Sequence, residues 1–310
     1  MVAVPLPRIV ARADGLRLLS AGRGTARGAR RHQRRAVLPV APLGPEVILV
    51  SALELDGFAL SVGGEALVNE VSLELAAGRT HAVIGERGSS KTVLLRSLVG
   101  MWPENAEVSG RLRADGLDLV SLTARERLAA RRERLMYLPP SGREALNPVE
   151  RVDRHFLDVC SVRAGWARAR RRSRRESLLA EAAVDLTKLG IADPDRVLAS
   201  IPDELSGGMR KRVLIAMALL LKPAVLAADD PTSGLDVTIS RQILDLLAEL
   251  QGNEGFTLVI ATQDLGIVAH YASTITVLKS GTVVEHTDPA TFFAGPASET
   301  GAAMLARARV

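Results

Sequence analysis

The chain of 310 residues carries 40 Lys and Arg against 35 Asp and Glu, with 47% hydrophobic and only 3% aromatic residues, enough for a sizeable core. Its single cysteine, Cys160, excludes a disulfide framework and a multi-cysteine metal site, as suits a reducing cytosol. The net charge of +5 resides in residues 1–50, where nine Arg face only Asp14 and Glu46; the remainder is slightly acidic, so the positive balance is no argument for nucleic-acid binding by the folded part.

Residues 1–50 are rich in Arg, Ala, Gly and Pro without sustained periodicity, and are expected to be a disordered tail or an over-extended gene start. They lack the continuous apolar stretch of a secretory leader. No segment reaches the roughly 18 apolar residues of a membrane-spanning helix, and the nearest candidate, Val213 to Ala228, is interrupted by Lys222-Pro223. Leu53-Glu54-Leu55 and Val71 to Leu75 alternate with period two, predicting half-buried antiparallel strands around a Gly63-Gly64 turn. Thr80 to Ile84 reads as a buried strand, and Val93 to Val99 as a helix capped by Gly100. From about 149 to 205 the pattern is helical, including a basic run, Arg163 to Arg175, read as a solvated face, and an amphipathic stretch ending at Gly190. Beyond it, the spacing predicts a helix from about Met209 to Leu221, a strand at Ala224 to Ala228, a helix at Ile239 to Leu250, and strands at Thr257 to Ala261, Thr274 to Leu278 and Thr282 to Glu285.

Two motifs carry the chemistry. Gly85-Glu86-Arg87-Gly88-Ser89-Ser90-Lys91-Thr92 stands between a strand and a helix, where successive backbone N–H groups and a helix N-terminus make an anion nest. Lys91 would reach the β- and γ-phosphates of a nucleoside triphosphate, and Thr92 would ligate Mg²⁺. The usual pattern has Gly at position 90; if that position needs positive φ, Ser costs about 1–2 kcal/mol. Downstream, the buried strand ends on two carboxylates: Asp229 as the second Mg²⁺ ligand, Asp230 as the base or water-orienting group.

Together these residues resemble the ATP-binding cassette (ABC) family from about Leu53 to the end of the chain. Leu205-Ser206-Gly207-Gly208-Met209-Arg210-Lys211-Arg212 is similar to the family signature, and Ser233-Gly234-Leu235-Asp236 to its D-loop. Ala145-Leu146-Asn147-Pro148 and Phe292-Phe293-Ala294-Gly295-Pro296 bring the resemblance closest to the peptide/nickel importer ATPases. The resemblance implies an α/β P-loop NTPase core at 51–287 with an antiparallel β subdomain, an inserted helical subdomain at about 149–205, and a short C-terminal extension at 288–310. It also implies ATP and Mg²⁺ as cofactors, and a cassette dimer in which each ATP touches one chain's phosphate loop and the other's signature (Ser206, Gly207, Gly208, Met209) and Asp236. The expected partners are a second ATPase subunit and transmembrane permease subunits, with no nucleic acid, at the cytoplasmic face of a membrane.

The departures from the family are specific. Asp230 stands for a catalytic Glu, so its carboxylate retreats by about 1.5 Å. Gln263 stands for the switch His, Pro139 falls about where the loop Gln belongs, and Lys211 replaces a common Gln. The adenine-stacking aromatic falls near Val62, with Phe58 as a substitute; its loss forfeits roughly 1–3 kcal/mol. The expectation is a site that binds ATP but hydrolyses it slowly, with an intact signature serving a competent partner site. A non-catalytic regulatory cassette and a soluble cassette acting on ribosomes or DNA stand as alternatives. His81, His155, His270 and His286 are scattered and read as packing or surface residues, and Cys160 as a small hydrophobe.

Overall fold

The computed structural model describes residues 51–141, 145–164 and 172–308. The extension at 1–50 and most of the basic run Arg163 to Arg175 lie outside the described residues.

Two sheets organise the chain. In the first, β1 (Ser51–Val62) pairs antiparallel with β2 (Glu65–Ala76) and with β4 (Ala106–Ala114), which carries the short β5 (Leu117–Asp118), giving the order β2-β1-β4-β5. Burial alternates along β1, with Leu53 and Leu55 inside and Glu54 and Asp56 outside, as expected of a sheet with one wet face. The second sheet is six-stranded, in the order β10-β9-β3-β8-β7-β6, from β3 (Thr80–Ile84), β6 (Leu135–Leu138), β7 (Val225–Asp229), β8 (Thr257–Thr262), β9 (Thr274–Lys279) and β10 (Thr282–Thr287). Only the β9–β10 hairpin is antiparallel. β3, β7 and β8 are buried along their whole length, the mark of parallel strands covered on both faces.

Alternation along the parallel strands divides the core. Leu226 and Ala228 of β7 face one hydrophobic cluster, and Val225 and Ala227 face the other. The first cluster joins the sheet to α3 (Val152–Ala164), α4 (Arg172–Lys188), α5 (Pro194–Ala199), α6 (Gly207–Leu219) and α7 (Val237–Glu254). The second joins it to the antiparallel sheet and to α1 (Lys91–Leu98), with α2 (Ala124–Glu133) at its margin. A third gathers Ile84, Val277 and α8 (Leu265–Tyr271) under α9 (Pro289–Ala294) and α10 (Glu299–Ala308), where Phe292, Met304 and Leu305 are buried. The chain end is tied down further by the Glu285 carboxylate, which accepts from the N–H groups of Ala297 and Ser298, both at 2.9 Å. Burial opposes ionisation of Glu285, but the Ser298 hydroxyl, which donates at 2.6 Å, and then these two N–H groups outweigh it and hold its pKa below the ordinary value.

The parallel register places the functional segments at one edge. Leu138 pairs with Ala228, Asp229 with Ala261, and Ile84 with both Thr262 and Val277. The residues that follow these strands, Pro139, Asp230, Gln263 and Gly85, therefore emerge together at the carboxyl ends, where ligands bind in open α/β sheets.

Candidate active site

The phosphate loop is built from backbone. Gly85 is buried, and a Cβ there would lie 2.3 Å from the Leu278 carbonyl oxygen and 2.6 Å from Ser89 Oγ, so no larger residue fits. Ser90 caps α1 with φ 73° and ψ 19° and makes no side-chain capping bond. The position does require a left-handed residue, and Ser meets the requirement with strain and no compensation from its hydroxyl. Lys91 turns back over the loop, donating from Nζ to Gly85 O at 2.7 Å, Glu86 O at 2.8 Å and Ser89 Oγ at 3.3 Å. Burial lowers the Lys91 pKa, against the opposing pull of Asp229 and then Asp230. Glu86, Arg87 and Gly88 are exposed along the loop, and Glu86 is held at 2.7 Å by Arg307 of α10, so the chain's last described helix reaches the loop.

Asp229 ends β7, buried, with Oδ2 accepting from the Tyr137 hydroxyl at 2.9 Å. Its other oxygen makes no hydrogen bond among the described residues. Thr92, half-buried on the first turn of α1, is also an oxygen donor, and the two are side chains of the kind that could hold Mg²⁺. Tyr137 and Arg96 carry no motif that marks them in the sequence. The Arg96 guanidinium lies over the Tyr137 ring, 5.3 Å from its centroid, and burial pushes the phenol up to about 12, so it remains a donor to Asp229. The readable signal is a hydroxyl-bearing ring in an otherwise apolar strand laid against the carboxylate strand.

Asp230 leaves β7 with φ 41°, a left-handed conformation in a residue with a Cβ. Its N–H donates to Ala261 O at 2.9 Å, and its carbonyl accepts from Ser233 N at 3.0 Å. Desolvation, then the neighbouring Asp229, raise its carboxyl pKa, while Lys211 and Lys91 pull it back. Lys91, Lys211, Asp229 and Asp230 thus form two cations against two carboxylates. Gln263 is exposed at the end of β8.

Other expected residues are placed differently. Ser206 caps α6, its Oγ accepting from Met209 N at 3.2 Å, and a Cβ on Gly208 would sit 2.9 Å from Ile239 Cγ2, so that glycine is also demanded by packing. Among the described residues no hydrogen bond joins Ser206, Gly207, Gly208 or Met209 to the phosphate loop. Asp236 is engaged as the N-cap of α7, accepting from Ile239 N at 2.9 Å. Val62 is half-buried at the end of β1. Phe58, the substitute for adenine stacking, is fully buried against Trp102 and cannot offer a face to a ligand; a register shift between Leu55 and Phe58 breaks the alternation that would have put Phe58 on the exposed face of Asp56.

A family model described as ABC transporter matches residues 68–233, more than half of the chain and the stretch from β2 through the carboxylate pair to Ser233. This chain belongs to the ABC transporter family. Among relatives, it is 36% identical over 220 residues to the peptidoglycan transport ATP-binding protein YejF of Agrobacterium fabrum, a match covering 70% of this chain and 39% of the relative. It is 34% identical over 228 residues to the dipeptide transport ATP-binding protein DppD of Caldanaerobacter subterraneus, covering 73% of this chain and 68% of that one. The chain therefore spans well under half the length of the first of these ABC relatives. Its fold is similar to that of the dimeric ATP-binding cassette MJ0796 bound to ADP and Pi, with a TM-score of 0.63 and 23% identity over 76% of this chain and 98% of that one. That likeness speaks to the ABC ATPase fold alone.

Proposed function

We propose that this chain is the ATP-binding subunit of an ABC importer, coupling ATP binding and slow hydrolysis to the uptake of peptides or nickel-like small solutes through a separate permease. The observation that carries the reading is the convergence of the phosphate loop, the Asp229–Asp230 pair and the Gln263 loop at one sheet edge. In this reading the loop N–H groups and Lys91 bind the polyphosphate, and Thr92 and Asp229 hold the divalent cation, which would neutralise phosphate charge. Tyr137 fixes the Asp229 carboxylate, Asp230 orients the attacking water, and Gln263 donates a hydrogen bond to the γ-phosphate. The peptide cargo rests on the names of the relatives, DppD and YejF.

The signature is exposed at Ser206 and Gly207, at the start of α6, and among the described residues no hydrogen bond joins it to its own phosphate loop. That supports a head-to-tail dimer, with Ser206 to Met209 and Asp236 closing a partner subunit's site; MJ0796 is itself dimeric. No described helix is long and apolar enough to cross a membrane, so attachment to the cytoplasmic face would run through the permease.

Titration of the purified chain with fluorescent ATP and Mg²⁺ tests the core of this: saturable binding, lost in Lys91→Ala, is expected. Steady-state turnover by the chain alone should be slow, and brisk hydrolysis would refute a mainly regulatory site. A second reading, a non-catalytic regulatory cassette, draws on the left-handed Asp230 and on the donor-free Pro139-Pro140 loop. ATP binding with no turnover even beside a competent partner subunit would favour it.

A further inference from the structure

Lys211 lies one turn into α6 and is only 2% exposed. Its Nζ donates to two consecutive carbonyls, Pro139 O at 3.2 Å and Pro140 O at 2.6 Å. Pro140 O also accepts from Ser233 Oγ at 2.8 Å. Two prolines in succession have no N–H and no polar side chain, so this stretch can only accept hydrogen bonds. Both of its acceptors are met from outside, one from α6 and the other from α6 and the loop that follows Asp230. Burying an ammonium on neutral carbonyls is costly, and a packing role alone would be met by Leu or Met. The remaining attraction comes from Asp230 and Asp229, which oppose the downward pull of desolvation on the Lys211 pKa.

The connectivity gives the contact its meaning. The 139–140 stretch leaves β6, at the edge of the core sheet, on the way to α3 of the helical region, while α6 begins at the signature. Ser233 lies between the carboxylate pair and Asp236. One pair of carbonyls is therefore gripped by the signature helix and by the segment leading out of the carboxylates.

We propose that Lys211 is a positioning residue of the nucleotide site: with Ser233 it latches the Pro139-Pro140 stretch, tying the signature helix to the chain's own carboxylate pair in place of a loop side chain that could reach the nucleotide. The inference rests on the ATP-site reading above but concerns how that site is held. A latch acts on the hydrolytic step and on the setting of the helical region, and leaves the phosphate loop alone.

The test uses the full chain and its Lys211→Met, Lys211→Gln and Ser233→Ala variants. Met removes the donors while keeping the bulk; Gln keeps amide donors without charge. With protein in excess over γ-labelled ATP and Mg²⁺, Lys211→Met is expected to slow the single-turnover rate about 10-fold and to leave fluorescent-ATP affinity within about 2-fold. Without nucleotide, hydrogen exchange over β6 and α3 should quicken about 10-fold while that of β3 is unchanged. Lys211→Gln should recover most of both effects, and Ser233→Ala should reproduce a smaller part. Wild-type exchange and turnover in Lys211→Met would overturn the proposal, as would a loss that Gln fails to rescue, or one shared equally by ATP affinity and global melting. Failure of the wild-type chain to bind ATP is a separate result: it sinks the nucleotide reading and with it the link to hydrolysis. The exchange experiment still reports on the latch.

Discussion

The two halves of the cleft are built on different principles. The phosphate half is backbone: a nest of N–H groups, Gly85 pressed against Leu278, and one lysine folded onto carbonyls. The hydrolytic half is side chain: Asp229 steered by Tyr137, Asp230 in a left-handed kink, Gln263 exposed, and a proline stretch pinned by Lys211. A backbone device tolerates a change of side chain so long as the dihedral is reached, and Ser90 reaches it. A side-chain device depends on reach and charge at the scale of an ångström, and it is there that the departures from the family accumulate. On the proposed reading, affinity for nucleotide and capacity to hydrolyse it should be separable in this protein.

The largest effect that separates them should come from Lys91→Ala. Loss of a charged donor to phosphate is expected to weaken ATP binding about 100-fold. The melting temperature should change little, because in the free protein the Lys91 ammonium bonds only to its own loop, at Gly85 O, Glu86 O and Ser89 Oγ. A titration with fluorescent ATP checks the first effect, and an unchanged affinity would remove Lys91 from the phosphate site.

The hydrolytic half carries its own buried cation, and the cost of this is pH-dependent. Burial lowers the Lys211 ammonium to about 8, below its ordinary value of 10.5. Between those values the folded chain holds fewer protons than the unfolded chain, so stability rises with pH across the window and is flat below it. From pH 8 to about pH 9.5 the wild type should gain about 2 kcal/mol relative to Lys211→Met, as read by denaturant unfolding at each pH. Parallel curves for the two chains would mean that Lys211 is better solvated than its burial indicates.

Much of the frame is legible in the sequence because periodicity and spacing report burial directly. The apolar run Thr80 to Ile84 is β3, and the Gly63-Gly64 turn joins β1 to β2 as expected. The elements between 106 and 138 are not legible in that way. β4 spends most of its length exposed, and α2 buries only Ala130, so neither has a strong apolar pattern. The Thr123 and Glu126 capping box is the available sign of α2: each is bonded to the other's backbone N–H. Within the site, residue type announces the phosphate loop and the paired aspartates. Side-chain contacts across strands do not announce themselves: Tyr137 on Asp229 depends on the β6–β7 register, and Lys211 on Pro140 depends on how a helix lies over a loop. Phe58 fails as a stacking residue for the same reason, since a strand's face is fixed only when its partners are known.

A smaller effect should follow restoration of reach. Asp230→Glu advances the carboxylate by about 1.5 Å, and the single-turnover rate is expected to rise about 10-fold. The gain stays below the roughly 100-fold that an ångström of misplacement can cost, because Gln263 and the proline stretch are unchanged and such effects are not additive. ATP affinity should not move. A variant that binds ATP more tightly without hydrolysing faster would place the limitation outside Asp230.

The smallest effect probes the claim that the phosphate half, Lys91 apart, is indifferent to side chains. Ser90 is held at φ 73° with no capping bond from its hydroxyl, so Ser90→Gly relieves left-handed strain and removes no interaction. The relief of about 1–2 kcal/mol is partly offset by the greater freedom of Gly in the unfolded chain. A net gain of about 0.5–1 kcal/mol should appear as a rise of about 1–4 °C in melting temperature for a domain of this size. ATP affinity should stay within about 2-fold, since the nest is formed by the same N–H groups at the same dihedrals. Calorimetry and nucleotide titration on one preparation decide it. If affinity shifts while stability does not, Ser90 acts through its hydroxyl, and the two halves of the cleft are less different than their construction indicates.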